Sequence, residues 1–324
     1  MPFERKIPEI LGLPDDLSIL LEFLLSPDEI RLIKTLDDYL RSGGGSETSG
    51  ISIFESQPET TIALLKKGLL RKNDSRYDIL EGVESLWTLL MDAVQKKEYL
   101  PSKEMELATS YLREYYSNAI KNNPELYQLF PVEEAFLSKY HSTRNLDNLL
   151  EILENARTIV QKPCRCREVF QNCLRPTDTC LVLNDPMEQD IEQGKAKKIT
   201  FERTKEILRS NLKNGNIIIL HRQDKNDLGG RMELHSCCSC CSVLLGAIMD
   251  SAIAQTIHTP KMVARVDASK CNGCATCKEV CMFAARRLVG GICRVEESLC
   301  VGCGLCVPWC TEQAVRMISR SPDG

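Results

Sequence analysis

Cys271-Asn-Gly-Cys274-Ala-Thr-Cys277-Lys-Glu-Val-Cys281 decides the reading of this chain, because Cys300-Val-Gly-Cys303-Gly-Leu-Cys306-Val-Pro-Trp-Cys310 repeats its C-x2-C-x2-C-x3-C spacing 29 residues later. The segment is an internal duplication. A tight loop with a thiol at every third position delivers three side chains to one small object, and the fourth must come from elsewhere. Gly273, Gly302 and Gly304 fit such a loop, since backbone N–H groups can approach sulfur there without a Cβ in the way. Paired C-x2-C units also suit zinc, but two matched runs of four evenly spaced cysteines fit polynuclear centres better.

Working outward, the chain has 324 residues, 43% of them apolar, enough for two or three domains. A net charge of -4 and a pI near 5.8 argue against global attraction to nucleic acid or anionic lipid. The N-terminus opens no apolar run of secretory length, and runs such as 243–249 are far shorter than a membrane span, so a soluble cytoplasmic protein is expected. All 17 cysteines fall between Cys164 and Cys310, a poor disulfide framework in a reducing compartment and a good metal-binding one.

Residues 263–324 resemble the bacterial two-cluster [4Fe–4S] ferredoxins. That resemblance implies two [4Fe–4S] clusters with crossed ligation. Cys271, Cys274, Cys277 and Cys310 would hold the first, and Cys281, Cys300, Cys303 and Cys306 the second. The proline that usually follows the fourth cysteine is replaced by Met282 and Thr311. Cys293, outside both runs, reads as a buried apolar residue or spare thiol. Lys278, Arg286, Arg287 and Arg294 read as a solvated basic face that could offset cluster charge or dock an acidic partner.

The central cysteines form two groups. Cys164, Cys166, Cys173 and Cys180 follow C-x-C-x6-C-x6-C, and His235-Ser-Cys237-Cys238-Ser-Cys240-Cys241 holds two interleaved C-x2-C pairs. Because adjacent side chains diverge in extended chain, the two pairs are not expected to share one mononuclear site. These eight thiols are candidate ligands for one or two further centres, with an iron–sulfur cluster preferred over zinc and a catalytic cluster as a third reading. His235 could replace a thiolate. The arrangement resembles larger ferredoxin-domain proteins of anaerobic bacteria and archaea that join a cysteine-rich module to a helical N-terminus.

Apolar spacing predicts helices at 17–24, 29–40 and about 57–68, the second opened by Ser26-Pro27 and the third closed by Gly68. A glycine-rich connection at 41–50 and a hairpin at 69–80 turning at Asn73-Asp74 complete a pattern that loosely resembles a winged helix over 15–95. The glycine-rich stretch departs from that pattern. The resemblance implies Lys66, Lys67, Arg71, Lys72 and Arg76 as phosphate contacts, diluted by Glu59, Asp74 and Asp78. A protein-docking domain is the plainer reading.

Further helices are expected at 102–121, at 146–160 ending at Pro163, at 201–213 and at 243–257, with a strand at 216–220 on a βα-type scaffold. The expected fold is therefore α+β and multidomain. Residues 1–95 form a winged-helix-like domain, 96–162 a helical region, 163–262 a cysteine-rich α/β module and 263–324 a ferredoxin-like dicluster domain. No phosphate loop, dinucleotide fingerprint or H-E-x-x-H is present. The expected function is an iron–sulfur electron-transfer protein or a subunit of a redox enzyme, paired with a redox partner. A redox-responsive DNA-binding regulator and an oxidoreductase with a central catalytic cluster are the alternatives.

Overall fold

The computed structural model describes residues 5–41, 56–73, 76–98, 100–130, 149–224, 227, 229–249, 251–254, 256–257 and 262–320. The glycine-rich stretch from 42 on, Asp74 at the hairpin tip, Leu146 in the expected helical stripe, and the side chains of Lys72 and Arg76 lie outside the described residues. The chain divides into two compact units, Met1–Tyr115 and Tyr116–Gly324.

The first unit is helical with one hairpin. It runs α1 Ile7–Ile10, α2 Ser18–Leu24, α3 Pro27–Arg41, α4 Pro58–Lys67, β1 Leu70–Asn73, β2 Arg76–Ile79 and α5 Val83–Gln95, and α6 Ser102–Asn122 begins in it. Ser26 and Glu29 form a capping box at the start of α3: the Glu29 N–H donates to Ser26 Oγ at 3.3 Å and the Ser26 N–H to Glu29 Oε2 at 2.7 Å. α4 stops at Gly68, whose φ of 81° allows the Gly68 and Leu69 N–H groups to return to Leu65 and Leu64 carbonyls. β1 and β2 pair antiparallel, Leu70 opposite Ile79. Lys67 corrects one expectation. Its side chain is 7% exposed, with Nζ 2.9 Å from Glu29 Oε2 and donating to the Leu24 carbonyl, so it is committed inside the unit and not available to phosphate.

The second unit is built on a six-stranded sheet. Its elements are β3 Tyr127–Phe130, α7 Leu149–Glu154, β4 Ile159–Lys162, α8 Arg165–Phe170, β5 Cys180–Leu183, α9 Glu188–Glu192, β6 Lys197–Lys198, α10 Phe201–Lys213, β7 Ile217–Arg222, β8 Met232–Cys237, α11 Val243–Ile248 and α12 Ser251–Ala254. The strand order is β3-β7-β8-β5-β4-β6, and every pairing is antiparallel. This is an α+β sheet, not the βα-type scaffold expected from sequence, because none of its pairings is the parallel one that a βαβ unit makes.

Two further expectations are corrected. The stripe reaching Val160 is a short helix followed by a strand, so Pro163 ends β4. The β-branched pair Ile159-Val160 lies opposite Leu183 and Val182 of β5, and pairing outweighs helical spacing. The single helix expected at 243–257 is two short ones, Val243–Ile248 and Ser251–Ala254.

β7 is buried on both faces, as its unbroken Ile217-Ile-Ile-Leu220 requires. Ile218 and Leu220 join Leu181, Leu183 and Leu234 beneath Ile207, Leu208 and Leu212 of α10. On the opposite face Ile217 and Ile219 pack with Leu244, Leu245 and Ile248 of α11, and with Phe283, Val301 and Leu305 from the C-terminal cysteine segment. That segment is thereby seated on the sheet. It carries β9 Met262–Val266, α13 Thr276–Glu279, β10 Arg286–Val289, β11 Ile292–Val295 and β12 Val315–Ser319, with β9 paired to β12 and β10 to β11. Among the described residues, no helix is long and apolar enough to cross a membrane.

Candidate metal centres

The sequence duplication is also a duplication of backbone. Left-handed φ values recur at the same offset of 29: Gly273 (75°) with Gly302 (73°), Ala275 (65°) with Gly304 (74°), and Ala284 (53°) with Gln313 (50°). At Gly273 only glycine fits, because a Cβ would lie 2.3 Å from the Gly291 carbonyl oxygen. Cys271, Cys274, Cys277 and Cys310 line one cavity together with Ala275 and Trp309. The Ala314 N–H donates to Cys310 Sγ at 3.3 Å, and the Ala285 N–H makes the equivalent bond to Cys281 one repeat earlier.

Cys281, Cys300, Cys303 and Cys306 stand within electrostatic reach of one another. Burial pushes the Cys281, Cys303 and Cys306 thiols up, and neighbouring members of the set add to it. Arg286 works against that rise at Cys306: it is 4% exposed and its Nη2 donates to Cys306 Sγ at 2.6 Å. The solvated face expected at Arg286 is therefore corrected; β10 turns this side chain into the cysteine core. Cys293 is buried, 3.3 Å from Cys277 in sulfur–sulfur distance.

The eight central cysteines do not form one cluster of side chains. Cys173, Cys238, Cys240 and Cys241 have all four sulfurs within 4.8 Å of one another. Individual separations are 4.0 Å for Cys173–Cys238, 3.7 Å for Cys173–Cys241 and 3.9 Å for Cys240–Cys241. Adjacent Cys240 and Cys241 converge because β8 has ended and the chain turns, capped by Ser242 at the start of α11, so strand alternation no longer applies. Cys164 lies beside Cys166 and Cys180, and Cys180 beside His235. Cys237 is buried beside Ser242, feeling charge on both Cys180 and Cys238.

Sequence spacing missed Arg167. It is 2% exposed, and its Nη1 donates to the Pro176 carbonyl at 2.7 Å and to Thr179 Oγ1 at 2.6 Å, while Nη2 reaches the Ser236 carbonyl. Its charge also lies beside Cys164, Cys238 and Cys180, while Nε is buried with no hydrogen-bond partner. Burial would raise the Cys238 thiol, but the Arg167 guanidinium beside it leads the effects that outweigh burial and bring it down to about 6. Arg175 was missed as well; its Nη1 is 3.8 Å from Cys240 Sγ. The available signal was an arginine beside each thiol in Cys-Arg-Cys-Arg167 and Cys173-Leu-Arg175, legible only as cations near ligands. Asn172 fastens the same loop to the turn by donating to the Cys240 carbonyl at 3.0 Å.

Comparison with known protein families, curated proteins and solved structures finds no match to this chain.

Proposed function

We propose that this chain is an iron–sulfur electron-transfer protein or the electron-transfer subunit of a redox enzyme, with residues 263–324 forming a ferredoxin-type domain for two [4Fe–4S] clusters. The observation that carries the reading is the recurrence of left-handed backbone positions at one 29-residue offset around two runs of four cysteines. The donor chemistry fits the group: eight thiols fall into two sets, Cys271, Cys274, Cys277 and Cys310 beside one cavity, and Cys281, Cys300, Cys303 and Cys306 in mutual reach. Among the described residues neither set brings three or more sulfurs within 4.8 Å of one another, so neither is drawn as tight as a single ion needs.

Bound there, the clusters would supply one-electron storage and transfer. The chain's own residues set the terms. Backbone N–H groups such as Ala314 hydrogen-bond thiolate sulfur, and Arg286 places a buried positive charge against the second set. Phe283, Val301 and Leu305 seat that set on the apolar sheet face and exclude water from it. Trp309, 42% exposed beside the first set, gives the surface a route of contact for a redox partner protein. The first unit is read as a docking domain, since Lys67 is withdrawn from the cations that DNA phosphates would need.

Anaerobic purification with iron and acid-labile sulfide counted per chain tests the reading. At least about eight of each are expected, and Cys274→Ser and Cys303→Ser should each alter one cluster signal in the reduced protein's magnetic spectrum. A carefully anaerobic preparation holding fewer than about eight irons contradicts the proposal.

A further inference from the structure

We infer that Cys173, Cys238, Cys240 and Cys241 hold a single metal ion in closed tetrahedral thiolate coordination, and that this ion is a structural rivet between the loop after α8 and the turn after β8. The inference does not rest on the reading of the C-terminal sets.

Geometry carries it. Four thiolates around one zinc at about 2.3 Å occupy the corners of a tetrahedron whose edge is about 3.8 Å. Three of the six sulfur–sulfur separations here are 3.7, 3.9 and 4.0 Å, and no pair in the group exceeds 4.8 Å. A cubane places each thiolate on a different iron, so its sulfurs must stand farther apart by the width of the metal core. The same chain supplies the contrast: among the described residues this is the one group drawn so tight, and the eight C-terminal thiols, arranged in two sets, are not.

The surroundings match a compact anionic centre. Four thiolates on a divalent ion carry a net charge of minus two, and two arginine charges face them: Arg175 Nη1 stands 3.8 Å from Cys240 Sγ, and the buried Arg167 guanidinium lies beside Cys238. All four positions come from protein, leaving none for substrate, which is the pattern of a structural site. The ligands join two segments remote in sequence, and Asn172 already ties those segments through the Cys240 carbonyl. Zinc and a single iron share this S4 chemistry, and the experiment separates them.

The test is metal and sulfide analysis of the full-length chain, purified without added metal, alongside Cys173→Ser. The expected result is about one zinc per chain, lost in the variant while iron and sulfide stay constant. Loss of about one iron without sulfide supports the same coordination with iron as the ion. Loss of iron together with matching sulfide overturns the inference, as does wild-type protein whose metal is fully accounted for by iron matched with sulfide. Should Cys173→Ser fail to fold, X-ray absorption of wild-type protein decides: four sulfurs at about 2.3 Å around zinc and no neighbouring metal are expected. If zinc is absent, the isolated-iron magnetic signature is sought instead, and finding neither overturns the inference. A failure of the ferredoxin reading would appear separately, in the iron and sulfide of wild-type protein.

Discussion

The central and C-terminal cysteines invert each other. The eight C-terminal motif thiols are evenly spaced along the chain, and among the described residues no three of them draw within 4.8 Å of one another, whereas four of the central ones come from segments some 65 residues apart and do. Regular spacing describes how a loop wraps a large object; tight convergence describes what a single ion needs. Two kinds of centre can therefore share one chain and one residue type, distinguished by the distance between sulfurs and not by their number.

The largest effect is expected where the central group is held by a buried cation. Arg167→Met strands the Pro176 and Ser236 carbonyls and removes the charge facing Cys238, so the second unit should lose about 3–5 kcal/mol in denaturant unfolding. C-terminal iron in the still-folded fraction should be unchanged. Arg167→Lys should recover only part of the loss, because an ammonium cannot reproduce the guanidinium fork.

Gly273→Ala tests the other side. A left-handed φ of 75° together with a Cβ 2.3 Å from a carbonyl oxygen forces the loop to move, a strain of about 1–3 kcal/mol before the clash is counted. Iron attributable to the first C-terminal set should fall while the central metal stays. Equal loss of both would erase the distinction between the regions.

A third effect is pH dependence in the sheet between them. Burial alone would raise the Glu233 carboxyl, but Lys162 at 2.7 Å, His235 and Arg231 outweigh it and hold it well below the usual range. A depressed carboxylate contributes stability above its unfolded pKa and loses it as pH falls through the folded value. Glu233→Gln should therefore cost about 2 kcal/mol at neutral pH and flatten the acid limb of the unfolding curve. An unchanged acid limb would show that other carboxylates govern it.

The smallest effect is electronic. Removing the Arg286 charge and its hydrogen bond to Cys306, as Arg286→Gln, should lower one reduction potential by about 40 mV, equivalent to about 1 kcal/mol. Potentiometric titration should show the other potential moving less, since Arg286 also faces Cys277 of the first set without a hydrogen bond to it.

Much of the fold was legible where the signals are local. Ser26-Pro27 and Gly68 bracket helices by capping chemistry that needs no tertiary context, and Thr200 opens α10 by accepting from the Arg203 N–H. The 29-residue repeat is visible in sequence and again in backbone conformation. What escaped was non-local. Val160 has helical spacing from Leu153, yet its partner on β5 makes it a strand residue. β3 belongs to a sheet whose next strand is distant in the chain. Arg167 is a surface-type residue whose burial depends on carbonyls contributed by Pro176 and Ser236. The convergence of Cys240 with Cys241 turned on where β8 stops, which no spacing rule states.

The pairing of β3 with β7 carries a consequence for biogenesis. Tyr127 lies opposite His221, and Arg222 reaches Gln128 across 94 positions, so this edge of the sheet cannot close until most of the chain has been synthesised. Cys173 leaves the ribosome well before Cys238, Cys240 and Cys241 exist to meet it. Contacts of such long separation form slowly, and through that interval the early thiols face the surrounding metal pool as individuals. Order of arrival, as much as affinity, then decides which ion each thiol meets first.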